Sequence, residues 1–116
     1  MKFTDFLVSP DESVMQAMRR LDKDGRGLIL FVADTDGKLL GVVTNGDIRR
    51  YILAGGSLEN PVLSAANTHP YTLHESRRWE AQEFLHKHGI DVVPLLDDNG
   101  VVVDAAVAEH LDGEVC

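Results

Sequence analysis

At 116 residues the chain is the size of one ordinary domain, long enough for a real core but short for a full catalytic apparatus. Hydrophobic residues make up 44% and charged residues 26%, values that exclude a disordered chain or a disulfide scaffold. A formal net charge of -8 argues against general binding to nucleic acid or anionic membrane, which depends on clustered Lys and Arg, so an anionic partner has to be met locally.

The one cysteine, Cys116, has no partner for an intrachain bridge, which makes a reducing compartment the default. No apolar run reaches the ~20 residues needed to span a bilayer, and the N-terminus lacks the apolar core of a signal peptide. A soluble, cytoplasmic protein is expected.

In chain order, Phe6-Leu7-Val8 reads as a short strand. Ser9-Pro10-Asp11-Glu12 follows, with a capping serine, a proline at the first helical position and a glutamate placed for a capping box, so a helix is expected to start there. Val14, Met15, Met18 and Leu21 form its apolar stripe, and Asp24-Gly25-Arg26-Gly27 ends it. Leu28 to Ala33 is a continuous apolar strand, Asp34-Thr35-Asp36-Gly37 a hairpin turn, and Lys38 to Thr44 the returning strand. Asp47, Ile48, Arg49 and Arg50 open a second helix that stops at Gly55-Gly56. Ser57 to Thr68 reads as a linker with a short helical piece at Pro61 to Ala66.

The pattern then begins again. Thr72 and Glu75 repeat Ser9 and Glu12 at an offset of 72 − 9 = 63 residues, and Asn99-Gly100 repeats Asp36-Gly37 at the same offset. Phe84 falls on Leu21, Leu95 on Val32 and Leu111 on Ile48 in this register without a gap. Two copies of a β-α-β-β-α unit are expected, 1–56 and 69–116, joined by 57–68. Each copy alone would have a marginal core, so the two sheets should bury apolar faces against each other as a pseudo-symmetric pair.

The junction between the second hairpin strand and its helix, Gly41-Val42-Val43-Thr44-Asn45-Gly46-Asp47, carries the functional reading. Thr44 offers a hydroxyl, Asn45 an amide and Asp47 a carboxylate, while Gly46 lets the backbone turn tightly and approach a ligand. A helix N-terminus at a strand end favours an anionic oxygen such as a phosphate, and a carboxylate at Asp47 could accept both hydroxyls of a ribose. The alternative is that Thr44 and Asp47 only cap the helix. In the second copy Gly41, Thr44 and Asp47 become Asp104, Val107 and His110, which implies one competent pocket and one degenerate one.

The duplicated unit, the junction Gly41 to Asp47 and the phrase Val93-Pro94-Leu95-Leu96-Asp97-Asp98-Asn99-Gly100 resemble the cystathionine-β-synthase (CBS) domain pair, or Bateman module, over essentially the whole chain. The run Gly46-Asp47-Ile48-Arg49-Arg50 further resembles CBS pairs attached to sugar-nucleotidyltransferases and sugar-phosphate isomerases. The resemblance implies an α/β fold of tandem repeats packed about a pseudo-two-fold axis. It also implies a regulatory module that binds an adenine nucleotide between the copies and controls an attached nucleotidyltransferase or other catalytic domain. Asp47 would hold the ribose and Thr44 the phosphate side, with Asn45 and Gly46 beside them and Val42 lining the pocket. Contacts from the facing copy would come from Tyr71, on its first strand, and from Ile90 and Asp91, with the adenine sandwiched between. Asp91 would repel a triphosphate unless turned away, which favours AMP or ADP over ATP. The other reading is a purely structural dimerisation module.

Other signals are discounted. His86 and His88 point to different sides of a helix and make a poor metal pair, and Asp34 to Gly37 lacks the remaining ligands of a calcium loop. No serine or cysteine sits in a nucleophile elbow, so the chain is not expected to be an enzyme. Trp79 falls opposite the inward stripe Ala81, Phe84, Leu85 and His88, so it is either half covered by a loop or part of a subunit contact, and the resemblance to CBS pairs, which dimerise through helices, implies the contact and a homodimer. Among Arg49, Arg50, Arg77 and Arg78, one pair at the cleft mouth could supply positive charge for a phosphate.

Overall fold

The apolar run ahead of the first hairpin forms β2 (Leu30–Ala33), buried at all four positions, and the chain returns antiparallel as β3 (Leu39–Val43). In this computed structural model, residues 2–23 and 29–109 are described; the expected helix end at Asp24 to Gly27 and the residues Leu28, His110, Leu111 and Cys116 lie outside them. Asp34 makes the turn: its Oδ1 accepts from the Asp36 N–H at 2.9 Å and the Lys38 N–H at 3.0 Å, and Gly37 takes φ +86°, which disfavours a side chain. β1 (Leu7–Val8) pairs parallel with the other edge of β2, giving a sheet of order β1-β2-β3.

Because side chains alternate across a strand, Leu30 and Val32 face one way and Phe31 the other. The first set packs with Val14, Ala17 and Leu21 of α1 (Val14–Lys23) and Ile48 of α2 (Asn45–Leu53). On the opposite face, Phe31, Val42 and Phe6 meet Val92 and Val102 of the second sheet. That sheet has the order β4-β5-β6, from β4 (Leu73–His74), β5 (Val92–Leu96) and β6 (Val102–Val107), with α3 (Ala81–His88) on its outer face. The expected burial of sheet against sheet is therefore present.

The hairpins obey the 63-residue offset pair by pair. Leu30↔Val43, Phe31↔Val42, Val32↔Gly41 and Ala33↔Leu39 recur as Val93↔Ala106, Pro94↔Ala105, Leu95↔Asp104 and Leu96↔Val102, each series with its irregularity after the third pair. Lys38 bridges its own counterpart Val101, and the flanking bonds are reciprocal: the Leu39 N–H donates to the Gly100 carbonyl and the Val102 N–H to the Gly37 carbonyl, both at 3.0 Å. Bonds that exchange when the copies exchange place the pseudo-two-fold axis between Lys38 and Val101.

Outside the hairpins the ungapped register fails. Val8 pairs Val32 and Leu73 pairs Leu95, so the first strands are offset by 73 − 8 = 65. The buried pair Ala17 and Leu21 of α1 matches Ala81 and Leu85 of α3 at 64, which puts Leu85 rather than half-buried Phe84 in the place of Leu21.

The capping boxes move accordingly. Ser9 does not cap α1; it accepts from the Asp11 N–H, as His74 Nδ1 accepts from the Ser76 N–H 65 residues on. The box is Ser13 with Gln16: the Gln16 N–H donates to Ser13 Oγ at 3.1 Å and the Ser13 N–H to Gln16 Oε1 at 2.9 Å. The reason is tertiary. The Val14 and Met15 N–H groups donate to the Asn60 and Leu58 carbonyls, and the Val62 N–H donates to the Glu12 carbonyl, so the segment after α2 fixes where α1 begins. Thr72 and Glu75 likewise do not start α3; a 3-10 helix (Glu75–Glu80) capped by His74 intervenes, with a kink at Arg77. The piece expected at Pro61 to Ala66 is a 3-10 turn, Val62–Ala65. No helix among the described residues is long and apolar enough to cross a membrane.

Candidate ligand cleft

β3 ends at Val43, and Thr44, in extended conformation, is the N-cap of α2. The Asp47 N–H donates to Thr44 Oγ1 at 3.2 Å, while Asp47 Oδ2 accepts from the Thr44 N–H at 2.9 Å and from Thr44 Oγ1 at 3.0 Å. Asp47 Oδ1 accepts from Arg50 Nη2 at 2.7 Å. A carboxylate offers about four acceptor positions, so these three donors leave roughly one on Oδ1 for another group. Capping and ligand binding are thus not exclusive at Asp47.

Beside this junction is a cleft of about 470 Å³. The first half contributes Ile29, Val42, Thr44 and Asp47; the segment between the halves contributes Asn67; the second half contributes Tyr71, Ile90, Asp91, Val92 and Pro94. Six of the eight candidate residues, Val42, Thr44, Asp47, Tyr71, Ile90 and Asp91, therefore share one concavity. Asn45 and Gly46 are not among its lining: Asn45 is exposed, and Gly46 lies under Arg50, whose Nη1 is 3.4 Å from where a Cβ would stand. Tyr71 lies two residues before β4 rather than on it.

Sequence reasoning missed Ile29, Val92, Pro94 and Asn67. Ile29 and Val92 are the same position of the two copies at offset 63, a signal available in the repeat. Asn67 had none, because it is defined by a tertiary bridge: its N–H donates to the Val42 carbonyl at 2.7 Å and its carbonyl accepts from the Val42 N–H at 2.9 Å. That crossing requires Gly41, where a Cβ would stand 2.8 Å from the Asn67 carbonyl oxygen.

The pair is asymmetric around this feature. Residues 66–72, which carry Asn67 and Tyr71, separate the Val62–Ala65 turn from β4, whereas the 3-10 turn Phe3–Phe6 runs directly into β1. At the second junction Asp104 replaces Gly41 and accepts from Arg78 Nη1 at 3.1 Å, and Val107 has no hydroxyl.

The arginines separate in role. Arg50 stands beside Asp47, Arg78 beside Asp104, and Arg77 clasps Glu80 through two bonds that hold the Glu80 carboxyl below the usual carboxylate range. Ser76, His74 and Asp98 are linked, with 2.8 Å from Ser76 Oγ to His74 Nδ1 and 2.6 Å from His74 Nε2 to Asp98 Oδ1. His74 Nδ1 also accepts the Ser76 N–H, and Asp98 is open to solvent, so the group is a helix cap on the surface.

Comparison with known proteins agrees with this architecture. Residues 4–54 match the CBS domain family. The chain is 42% identical over 94 residues to arabinose 5-phosphate isomerase GutQ of Shigella flexneri, a match covering 80% of this chain and 29% of GutQ. The chain thus spans less than a third of the length of the curated relatives it matches. Among solved structures, it superposes with a TM-score of 0.68 on the CBS domain protein PAE2072 from Pyrobaculum aerophilum complexed with AMP, at 22% identity over 87% of this chain and 78% of the other. The CBS domain pair of MJ0100 in complex with 5′-methylthioadenosine and S-adenosyl-L-methionine gives 0.69, at 24% identity over 96% and 91%. With the CBS family match at residues 4–54, the same hairpin register 63 residues on, and likeness to solved CBS pairs along nearly its whole length, the chain carries a CBS domain in its first half and has the fold of a CBS domain pair.

Proposed function

We propose that the chain is a regulatory module that binds an adenine nucleotide such as AMP or ADP in the cleft beside Asp47 and controls a catalytic domain. The observation that carries the reading is the cleft itself. A carboxylate with an acceptor position to spare faces apolar walls drawn from both halves, Val42 and Ile29 on one side and Ile90, Val92 and Pro94 on the other. Apolar walls suit a flat base, and Asp47 suits a ribose hydroxyl. The AMP complex of PAE2072 and the adenosyl complexes of MJ0100 support the ligand class. Asp47 and Asp91 line the cleft, and no Lys or Arg does among the described residues. The acidic lining disfavours each further phosphate charge, so AMP and ADP are preferred to ATP.

Calorimetric titration with AMP, ADP, ATP and S-adenosylmethionine tests this. Saturable binding of AMP or ADP, with ATP weaker by about tenfold, is expected. Absence of heat with all four would leave the second reading, a purely structural dimerisation module. What favours that reading is that Asp47 already engages Thr44 and Arg50.

The controlled domain is proposed to be of sugar-phosphate isomerase type rather than a nucleotidyltransferase, on the support of the GutQ relatives, and the setting cytoplasmic. The module is further proposed to act as a homodimer. Trp79 is 81% exposed and Leu53 80%, unusual for large apolar side chains. Trp79→Glu should shift the protein to monomer in light scattering, and an unchanged dimer mass would remove Trp79 from the interface.

A further inference from the structure

The walls of the cleft differ in how they are held. Val42, Val92 and Pro94 are buried strand residues whose backbones are fixed by sheet pairing. Tyr71 is 52% exposed and lies in a stretch with no regular secondary structure. Its ring is met instead by two side chains of α3. The His88 ring is 4.3 Å from it between centroids at an interplanar angle of 31°, and the Phe84 ring is 6.2 Å away at 84°. Phe84 and His88 are themselves 4.5 Å apart. They are four residues apart on α3 and so share one face, with His88 in contact with both other rings. Immediately after His88, Gly89 turns the chain with φ +64°, and Ile90 and Asp91 re-enter the cleft lining.

We propose that His88 is a positioning residue of the cleft: braced by Phe84, its ring holds Tyr71 in the place where the wall meets a flat base. His88 is not among the lining residues, so its effect on ligand passes through Tyr71. The effect on ligand rests on the adenine reading; the brace in the free protein does not. Two rings in contact at this distance and tilt attract one another beyond the area they bury, so His88 restricts the Tyr71 ring more than an aliphatic neighbour of equal volume would.

The test pairs a readout in the free protein with one on ligand, using His88→Ala, His88→Phe and Tyr71→Ala. In His88→Ala, the Tyr71 ring-proton resonances should move toward those of an unstacked tyrosine, and AMP affinity should fall roughly three- to tenfold. His88→Phe should preserve both, which a loss of fold would not. In a Tyr71→Ala background, His88→Ala should change AMP affinity little further. Unmoved Tyr71 resonances in His88→Ala, or equal losses in His88→Ala and His88→Phe, would overturn the proposal. If the wild type binds no adenine ligand, the proposed function falls, while the brace is still decided by the Tyr71 resonances.

Discussion

Asp47→Ala should weaken AMP binding by at least about tenfold and lower stability by about 1 kcal/mol, because the same carboxylate serves both purposes. Its removal leaves the Thr44 N–H and hydroxyl without their acceptor and frees Arg50. Loss of an N-terminal cap accounts for the stability change, while a hydrogen bond from a ribose hydroxyl to a charged acceptor accounts for the affinity. Asp47→Asn separates the contributions. The amide oxygen can still accept from Thr44, so most of the stability should return, but the NH2 group then faces Arg50 and the cleft, and binding should remain weak. Thermal melts and AMP titrations on the two variants check this. Full binding by Asp47→Ala would withdraw the cleft assignment.

Gly41→Ala should be the most disruptive single methyl in the first sheet. The new Cβ would stand 2.8 Å from the Asn67 carbonyl oxygen and 3.3 Å from Ala66 Cβ, and the nearer obstacle is backbone, which cannot swing aside. Relief requires the 66–72 segment to move off β3, breaking the two bonds between Val42 and Asn67. Overpacking of this kind costs about 1 to 3 kcal/mol. Because Tyr71 follows on the same segment, AMP affinity should fall with stability. Asp104→Ala, at the equivalent position of the second copy, removes a partly exposed ion pair with Arg78 and the bond that Asp104 Oδ1 accepts from the neighbouring Ala105 N–H at 2.8 Å, and should cost about 1 kcal/mol, with no backbone displaced. Urea melts and hydrogen exchange at the Asn67 amide provide the measurement. Retained protection there in Gly41→Ala would contradict the account.

Much of this is legible in the sequence. Apolar runs bounded by Asp-Gly and Asn-Gly turns fixed both hairpins, and their common offset fixed the register, because a hairpin's pairing is set locally by its turn. Thr44 and Asp47 could be placed for the same reason: the capping box is a contact over three residues. The failures occur where distant chain decides. Ser9 and Glu12 have the spacing of a capping box, yet α1 begins after Ser13 because Asn60 and Leu58 take up its first N–H groups. The offset that holds in the hairpins places Thr72 on Ser9, whereas the first strands differ by two further residues. Asn67 belongs to the same class, since nothing near it in sequence signals the pairing with Val42.

The segment after α2 is not a tether between two finished halves; it completes the first one. Val62 is fully buried in the first half's core, Asn60 and Leu58 receive the leading amides of α1, and Asn67 hydrogen-bonds the free side of β3. A polypeptide terminated at residue 56 would retain every strand of the first sheet, yet it would expose a hole in its interior and an unprotected β edge open to self-association. The smallest piece of this molecule able to stand alone is therefore larger than one copy of its repeat.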